Sequence, residues 1–352
     1  MHRTIMERPD LSQTAPEVRV YIQYLEAELE RANLKDAPPK PAVEIPPAQP
    51  DELPTSINIL SLTSGGTGKR TPRHEYSRQR RGGMGVFDLD VNGGEPPAVL
   101  SSADEGQTLL VLTAQGRGFR LPVARVPVKP VHSRGEFLID RLPFEKGEKV
   151  AAVLPTQASG YLALVSRNGM VRCLRHHLFG EYLKPGTAFF NGVEFGPLAA
   201  ACWTPGDADL LIATRNGLAI RFAEKLVPPQ GTKGIRVEEG DEVVAVTSVD
   251  QDSGVFLIGE DGKGTIRLMA GFNPNKAPGG GGKMAMKTSR LVSAFAVTPQ
   301  EDIFVISRLG KIIRFQASEV PATEGVIQGV ICMSLRSDEC VTALKSGHGE
   351  PA

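Results

Sequence analysis

Apolar positions along this chain fall into two regimes with an abrupt change between them. Near the N-terminus, Ala15, Val18, Ile22, Leu25, Leu29 and Ala32 recur at 3-4-3-4-3 spacing, with Glu26, Glu28, Glu30 and Arg31 off the seam. That period predicts a short amphipathic helix with a coiled-coil seam, and Pro16 suits its first turn. About three heptads are marginal alone in water, so the seam needs a cover. A second copy of the chain paired through residues 15–33, a helix of another protein, and the chain's own globular body all meet that need. Next comes "DAPPKPAVEIPPAQPDELP" (Asp36–Pro54), too rich in proline for helix or sheet, which reads as an extended linker.

From Ile57 the helical period disappears, and short β-branched runs alternate with glycine turns. One unit recurs six times: an apolar strand, a glycine turn, then a cation. The copies are "INILSLTSGGTGKR", "TLLVLTAQGRGFR", "YLALVSRNGMVR", "DLLIATRNGLAIR", "VFLIGEDGKGTIR" and "IFVISRLGKIIR", starting at Ile57, Thr108, Tyr161, Asp209, Val255 and Ile303. Each carries a second glycine-bearing strand segment, such as "RGGMGVFDLD" or "GTKGIRVEE", and most end in a third run such as "EKVAAVL". Repeats of this length with three to four strands have the size of propeller blades, and a closed circle of blades buries faces and edges that one blade cannot. The expected fold is all-β: a six-bladed disc over residues 57–346. A helical segment (1–35) and the linker (36–56) precede it, and a tail (347–352) follows.

In every copy the second strand begins with or near a cation: Arg70, Arg120, Arg172, Arg221, Arg267, Arg314. Rotational repetition would set these around a rim, with Lys69, Arg73, Arg117, Arg125, Arg175, Lys225, Lys233, Arg236 and Lys311 nearby. Bulk charge adds little, since the chain is neutral overall, with −4 over residues 1–56 and +4 over the remainder. The functional case therefore rests on where cations fall. The composition, 23% charged and 41% hydrophobic, is that of an ordinary soluble protein. No apolar run is long enough for a membrane helix, and the N-terminus lacks a secretory pattern, so the expected location is the cytoplasm. Cys173, Cys202, Cys332 and Cys340 form no CxxC pair and read as buried free thiols. Neither a metal site nor a cofactor is expected. The adjacent His176 and His177 would point apart on a strand, which argues against a metal pair, and a surface turn is the safer reading. "PGGGGK" (Pro278–Lys283) lacks the Lys-Ser/Thr and following helix of a nucleotide loop.

One stretch stands apart: "SRQRRGGMG", where Arg78, Arg80 and Arg81 run into Gly82, Gly83 and Gly85. Glycines are costly to order and like charges repel, so an anion is expected against this segment. With the preceding "TGKRTP" it resembles the C-terminal domain of the A chain of bacterial DNA gyrase, whose first repeat carries the heptapeptide Gln-Arg-Arg-Gly-Gly-basic-Gly. Here that motif falls on Gln79, Arg80, Arg81, Gly82, Gly83, Met84 and Gly85, and Met84 departs from it by lacking the charge. The resemblance covers roughly residues 57 to 345. It implies a β-pinwheel whose neighbouring blades exchange strands, with a basic perimeter around which duplex DNA bends. The heptapeptide's implied place is the loop between first and last blades, where the wrap is clinched.

Backbone N–H groups at glycines and arginine forks both suit phosphate oxygens. Such contacts do not read sequence, and an aromatic content of 6% offers few platforms for stacking bases. The expected function is therefore non-catalytic, sequence-independent duplex binding and wrapping that modulates DNA topology in association with the nucleoid. A gyrase or other topoisomerase is a candidate partner. With 56 residues before the first repeat there is no room for gyrase's tyrosine-bearing breakage–rejoining part, so no enzymatic activity is expected. The competing reading is a scaffold that docks a topoisomerase, or another protein, through the N-terminal helix.

Overall fold

A computed structural model of the chain describes Val18 and residues 52–91, 94–138 and 142–347. Apart from Val18, the seam read as a helix lies outside the described residues, as does the linker up to residue 51. The described residues from Glu52 onward belong to one compact unit, Pro50–Ala352.

Six sheets follow one plan, antiparallel throughout except for one parallel pair in the fifth. Blade 1 takes β1 (Ile57–Thr63), β2 (Thr67–Pro72) and β4 (Pro97–Asp104) from the first repeat, and its outermost strand β7 (Glu136–Phe137) from the second. Blade 2 holds β5 (Thr108–Thr113), β6 (Arg117–Pro122), β8 (Val150–Pro155) and the borrowed β11 (Thr187–Ala188). Blade 3 holds β9 (Tyr161–Ser166), β10 (Met170–Arg175), β12 (Leu198–Thr204) and the borrowed β15 (Thr232–Lys233). In blade 4 these places go to β13 (Asp209–Thr214), β14 (Leu218–Ala223), β16 (Val243–Val249) and β19 (Lys283–Met284). Blade 5 has β17 (Gly254–Gly259), β18 (Lys263–Leu268) and β20 (Leu291–Val297), with β23 (Ala322–Thr323) and β24 (Val330–Ile331) on its outer edge. Blade 6 has β21 (Asp302–Ser307), β22 (Lys311–Gln316) and β25 (Cys340–Ser346). Its outer strand β3 (Val86–Phe87) comes from the first repeat. Every repeat thus lends a strand to the blade before it, and β3 closes the circle.

Burial explains why the first strand of each repeat is apolar almost without alternation. Each sheet is covered on both faces by its neighbours, so strands such as β5 (TLLVLT) bury nearly every side chain. The inner strands β4, β8, β12, β16, β20 and β25 surround a central channel of about 560 Å³, lined by small residues such as Ala151, Ala199 and Ala294. Six apolar clusters fill the six gaps between blades. The one at the closure, which includes Ile59, Tyr76, Phe304 and Ile312, has seven buried side chains against ten to fourteen in the others. One short α-helix, α1 (Gly192–Phe195), interrupts the β architecture among the described residues of the disc, and Asn191 caps it by accepting from the Val193 and Glu194 amides.

The four cysteines are free thiols, Cys332 and Cys340 buried and Cys173 and Cys202 half-buried. Burial pushes Cys173 and Cys332 up to about 12 and raises Cys202 and Cys340 as well. Thiolate is the reactive form. Iodoacetamide at neutral pH should therefore leave the folded protein unmodified on a timescale that fully alkylates a denatured control, as read by intact mass. Rapid labelling of the folded form would contradict the packing around these residues.

Candidate nucleic-acid interface

The six register-matched arginines do not form a perimeter ring. Arg70, Arg221, Arg267 and Arg314 are buried, and Arg120 and Arg172 are half-buried. The reason lies in the pleat: the register position on the second strand faces the next blade, not the solvent. There four of the six guanidinium groups bond to a turn that follows the second strand of the next repeat. Arg70 Nε donates to Val126 O at 2.9 Å, Arg221 Nη1 to Phe272 O at 3.2 Å and Met269 O at 2.9 Å, and Arg314 Nη1 to Tyr76 O at 2.8 Å. Val126, Phe272 and Tyr76 each follow a one-turn 3-10 helix in that repeat. Arg172 bridges similarly to Pro229 O at 3.1 Å and Phe189 O at 2.8 Å. Carboxylates balance three of these charges: Glu105 for Arg70 (2.7 Å), Asp209 for Arg221 (2.8 Å) and Asp302 for Arg314 (2.6 Å). Arg267 lies over the Phe272 ring at 5.8 Å, and burial pulls its guanidinium below the usual arginine value against the opposing pull of Glu324. Four of the six cations, Arg70, Arg172, Arg221 and Arg314, are thus interblade rivets.

Two further candidates are equally sealed. Lys69 is fully buried, with Nζ 2.7 Å from Asp88 and donating to Pro130 O at 2.8 Å; burial holds its ammonium below the usual lysine range although Asp88 opposes this. Arg73 is fully buried between Asp302 (2.7 Å) and Glu52. Arg117 is half-buried, pairing with Glu145 at 2.6 Å and Glu148 at 3.1 Å. None of these charges was separable from surface charge by sequence, because the balancing carboxylates lie far along the chain.

The heptapeptide loop sits at the ring closure, and most of it is occupied there. Gln79 N–H donates to Arg314 O at 2.7 Å, Gly82 N–H to Cys332 O at 2.7 Å, and Ser334 N–H to Gly83 O at 2.9 Å. Arg81 Nε donates to Glu319 O at 2.7 Å, and its backbone N–H to the Glu319 carboxylate at 3.0 Å. Arg78 Nη2 lies 3.0 Å from Asp302. A side chain on Gly85 would put Cβ 2.5 Å from Ile312 O at a φ of 70°, so the last glycine is demanded by the β3–β22 pairing. Only Arg80 of this loop's cations is exposed with no ion pair among the described residues.

The open cations lie elsewhere. Arg125, Arg175, Lys225, Lys233 and Arg236 are exposed and make no ion pair among the described residues. Arg175 rests 6.0 Å from the Tyr161 ring, and half-buried Lys311 sits 5.0 Å over Phe87. Sequence reasoning missed Lys276, Lys283 and Lys287, which share these properties. The signal was available: between Met269 and Arg290 the chain carries cations and no carboxylate. It also missed the apolar character of the outer strands, where Val86, Phe87, Phe137, Met284 and Ile331 are 40–57% exposed. With Tyr182, the perimeter segments thus present three exposed aromatic rings despite the low aromatic content.

A six-bladed propeller with strands exchanged between neighbours and an outer edge bearing unpaired cations defines the class of protein. The profile of the family described as "DNA gyrase C-terminal domain, beta-propeller" matches residues 58–95, 107–157, 208–250 and 301–346, and the chain belongs to that family. The DNA gyrase A chain of Staphylococcus epidermidis is 27% identical over 314 residues, and that of Staphylococcus aureus 26% identical over 311. These alignments cover 85% and 84% of this chain but 35% of each relative's length. A solved DNA gyrase A C-terminal domain superposes with a TM-score of 0.71 at 20% identity, covering 82% of this chain and 99% of the other. The C-terminal domain of DNA topoisomerase IV gives 0.60 at 17% identity, covering 84% and 95%. No helix among the described residues is long and apolar enough to cross a membrane.

Proposed function

We propose that the disc binds duplex DNA along its outer edge through phosphate contacts, bends it, and so alters DNA topology without catalysing strand passage. One observation carries the reading: exposed cations without carboxylate partners among the described residues recur on the outer segments of successive blades, at Arg80, Arg125, Arg175, Lys225, Lys233, Arg236 and Lys283. Cations left unpaired on a surface attract a polyanion and release its counterions when it binds. Bending a site of 20–30 base pairs costs roughly 1–6 kcal/mol, a sum that several phosphate contacts offset. Membership of the gyrase C-terminal family supports the same reading, and a gyrase or another topoisomerase is the proposed partner.

The test is a salt titration of binding to a labelled linear duplex and to its single strand. About six phosphate contacts give a slope of log affinity against log salt near −5 for the duplex. A flat response, or tighter binding of the single strand, overturns the proposal. Relaxed plasmid closed by a topoisomerase in the presence of the protein should then show shifted topoisomers, whereas an unchanged distribution at saturation excludes wrapping.

A further inference from the structure

"PGGGGK", which lacks the marks of a nucleotide loop, occupies a definite place in the repeat. Val86 and Phe87 of β3 pair with Ile312 and Lys311, and Lys283 and Met284 of β19 pair with Ala219 and Leu218. Each pair of partners opens the second strand of its blade, so Lys283 stands where Val86 does. Gly279–Gly282 then stand where Gly82–Gly85 do. The backbones agree: φ is 81° at Gly82 and 87° at Gly279, 70° at Gly85 and 79° at Gly282. So do the hydrogen bonds. Gly279 N–H donates to Gly234 O at 2.8 Å as Gly82 N–H does to Cys332 O at 2.7 Å; Arg236 N–H donates to Gly280 O at 2.8 Å as Ser334 N–H does to Gly83 O at 2.9 Å. The chain holds a second copy of the heptapeptide's loop geometry, four repeats further along, which keeps its three glycines and none of its other letters.

The side chains around the two loops have exchanged character. At the closure the positions flanking the glycines are Val86, Ile331 and Ser334. At the second loop the corresponding positions are Lys283, Lys233 and Arg236, all exposed and without an ion pair among the described residues. The likewise exposed Lys276 follows Asn275, whose N–H donates to Arg221 O as that of Gln79 does to Arg314 O. Arg236 Nη2 lies 3.2 Å from where a Cβ on Gly281 would be, so the guanidinium packs directly over the glycine backbone. Met84, 49% exposed, holds the place of Gly281 at the closure. Lys233 lies beside Gly279, Lys283 Nζ donates to Asn273 O at 3.4 Å and sits 5.9 Å over the Phe272 ring, and Lys276 precedes the glycines. Four cations thus flank a backbone stripped of side chains, an arrangement suited to phosphodiesters.

On the reading that the disc binds duplex DNA, we infer that the Pro278–Lys283 loop, with Lys233, Arg236 and Lys276, is the main phosphate grip. The heptapeptide is the ring-closing staple. The inference is tested by fluorescence anisotropy with a labelled linear duplex across a salt series, comparing single variants that each remove one exposed guanidinium. Arg236→Gln is expected to weaken binding on the order of tenfold, and Arg80→Gln by less than about threefold. The triple variant Lys233→Gln, Arg236→Gln, Lys283→Gln should flatten the salt slope by about three. All four positions are exposed, and thermal melts by circular dichroism coincident with wild type establish that the fold is kept. An Arg80→Gln loss equal to or larger than that of Arg236→Gln overturns the inference, as does a triple variant with the wild-type slope. Failure of the wild-type protein to bind duplex at low salt instead removes the reading on which the inference rests.

Discussion

Replacing Asp302 with alanine is expected to destabilise the disc by about 3–5 kcal/mol, the usual cost of removing one partner from a buried ionic cluster. Asp302 is fully buried at the start of β21 and stands among three arginines, Arg314 from its own hairpin and Arg73 and Arg78 from the first repeat. Arg73 Nη2 is 2.7 Å away, Arg314 Nη2 2.6 Å and Arg78 Nη2 3.0 Å. Glu52 is the second anion of the cluster and also pairs with Arg73 and Arg314, so the last residues of the segment read as linker are bound to the disc. Without Asp302, three guanidinium groups share one partly exposed carboxylate. This is the interface with the fewest apolar side chains, so little packing is there to compensate. Thermal unfolding should show a midpoint lowered by about 10 °C for a domain of this size. A midpoint within about 2 °C of wild type would show that the cluster adds nothing to closure.

Gly85→Val is the second large effect, expected to cost roughly 2–4 kcal/mol through a clash at a left-handed backbone position. Its Cβ would meet Ile312 O at 2.5 Å and Ile312 C at 2.9 Å, and β3 has only two residues with which to hold blade 6. The strand should leave β22 before the rest of the disc unfolds. Hydrogen exchange would then rise at the closure, at the amides of the 82–88 segment above all. Gly147→Val is the control: its φ is 81°, but nothing lies within 4 Å of the added Cβ. That change carries backbone strain alone, about 1–2 kcal/mol. Equal losses for the two variants would mean that the β3 contact is not what Gly85 protects.

The repeat was legible because a blade must bury both faces of its sheet. That requirement writes an apolar run, a glycine turn and a second strand into each of six segments, whatever their other residues. Strand exchange and closure by the first repeat were implied by the family resemblance, and β3 on blade 6 bears them out. The ring of arginines was the opposite case. Arg70, Arg221 and Arg314 recur with the period of the blades, and periodicity is what both a rim and a set of interblade rivets produce. Asp209 and Asp302 stand a hairpin away from Arg221 and Arg314, but which of the two the arginines are depends also on Glu105 and the carbonyls of a neighbouring turn, whose placement against the arginine is not written in local spacing.

Likewise, "QRRGGMG" and "KAPGGGG" share only glycines, too little to be equated by reading, yet the same hydrogen bonds hold both loops against the preceding segment. What the sequence alone determined is the architecture: local period, turn glycines and repeat length follow from burial and backbone sterics, which act within a few residues. What only the tertiary structure decided is which charges face solvent. Burial of a charge is settled by partners that folding brings together, Asp302 with Arg73 across the closure being the clearest instance.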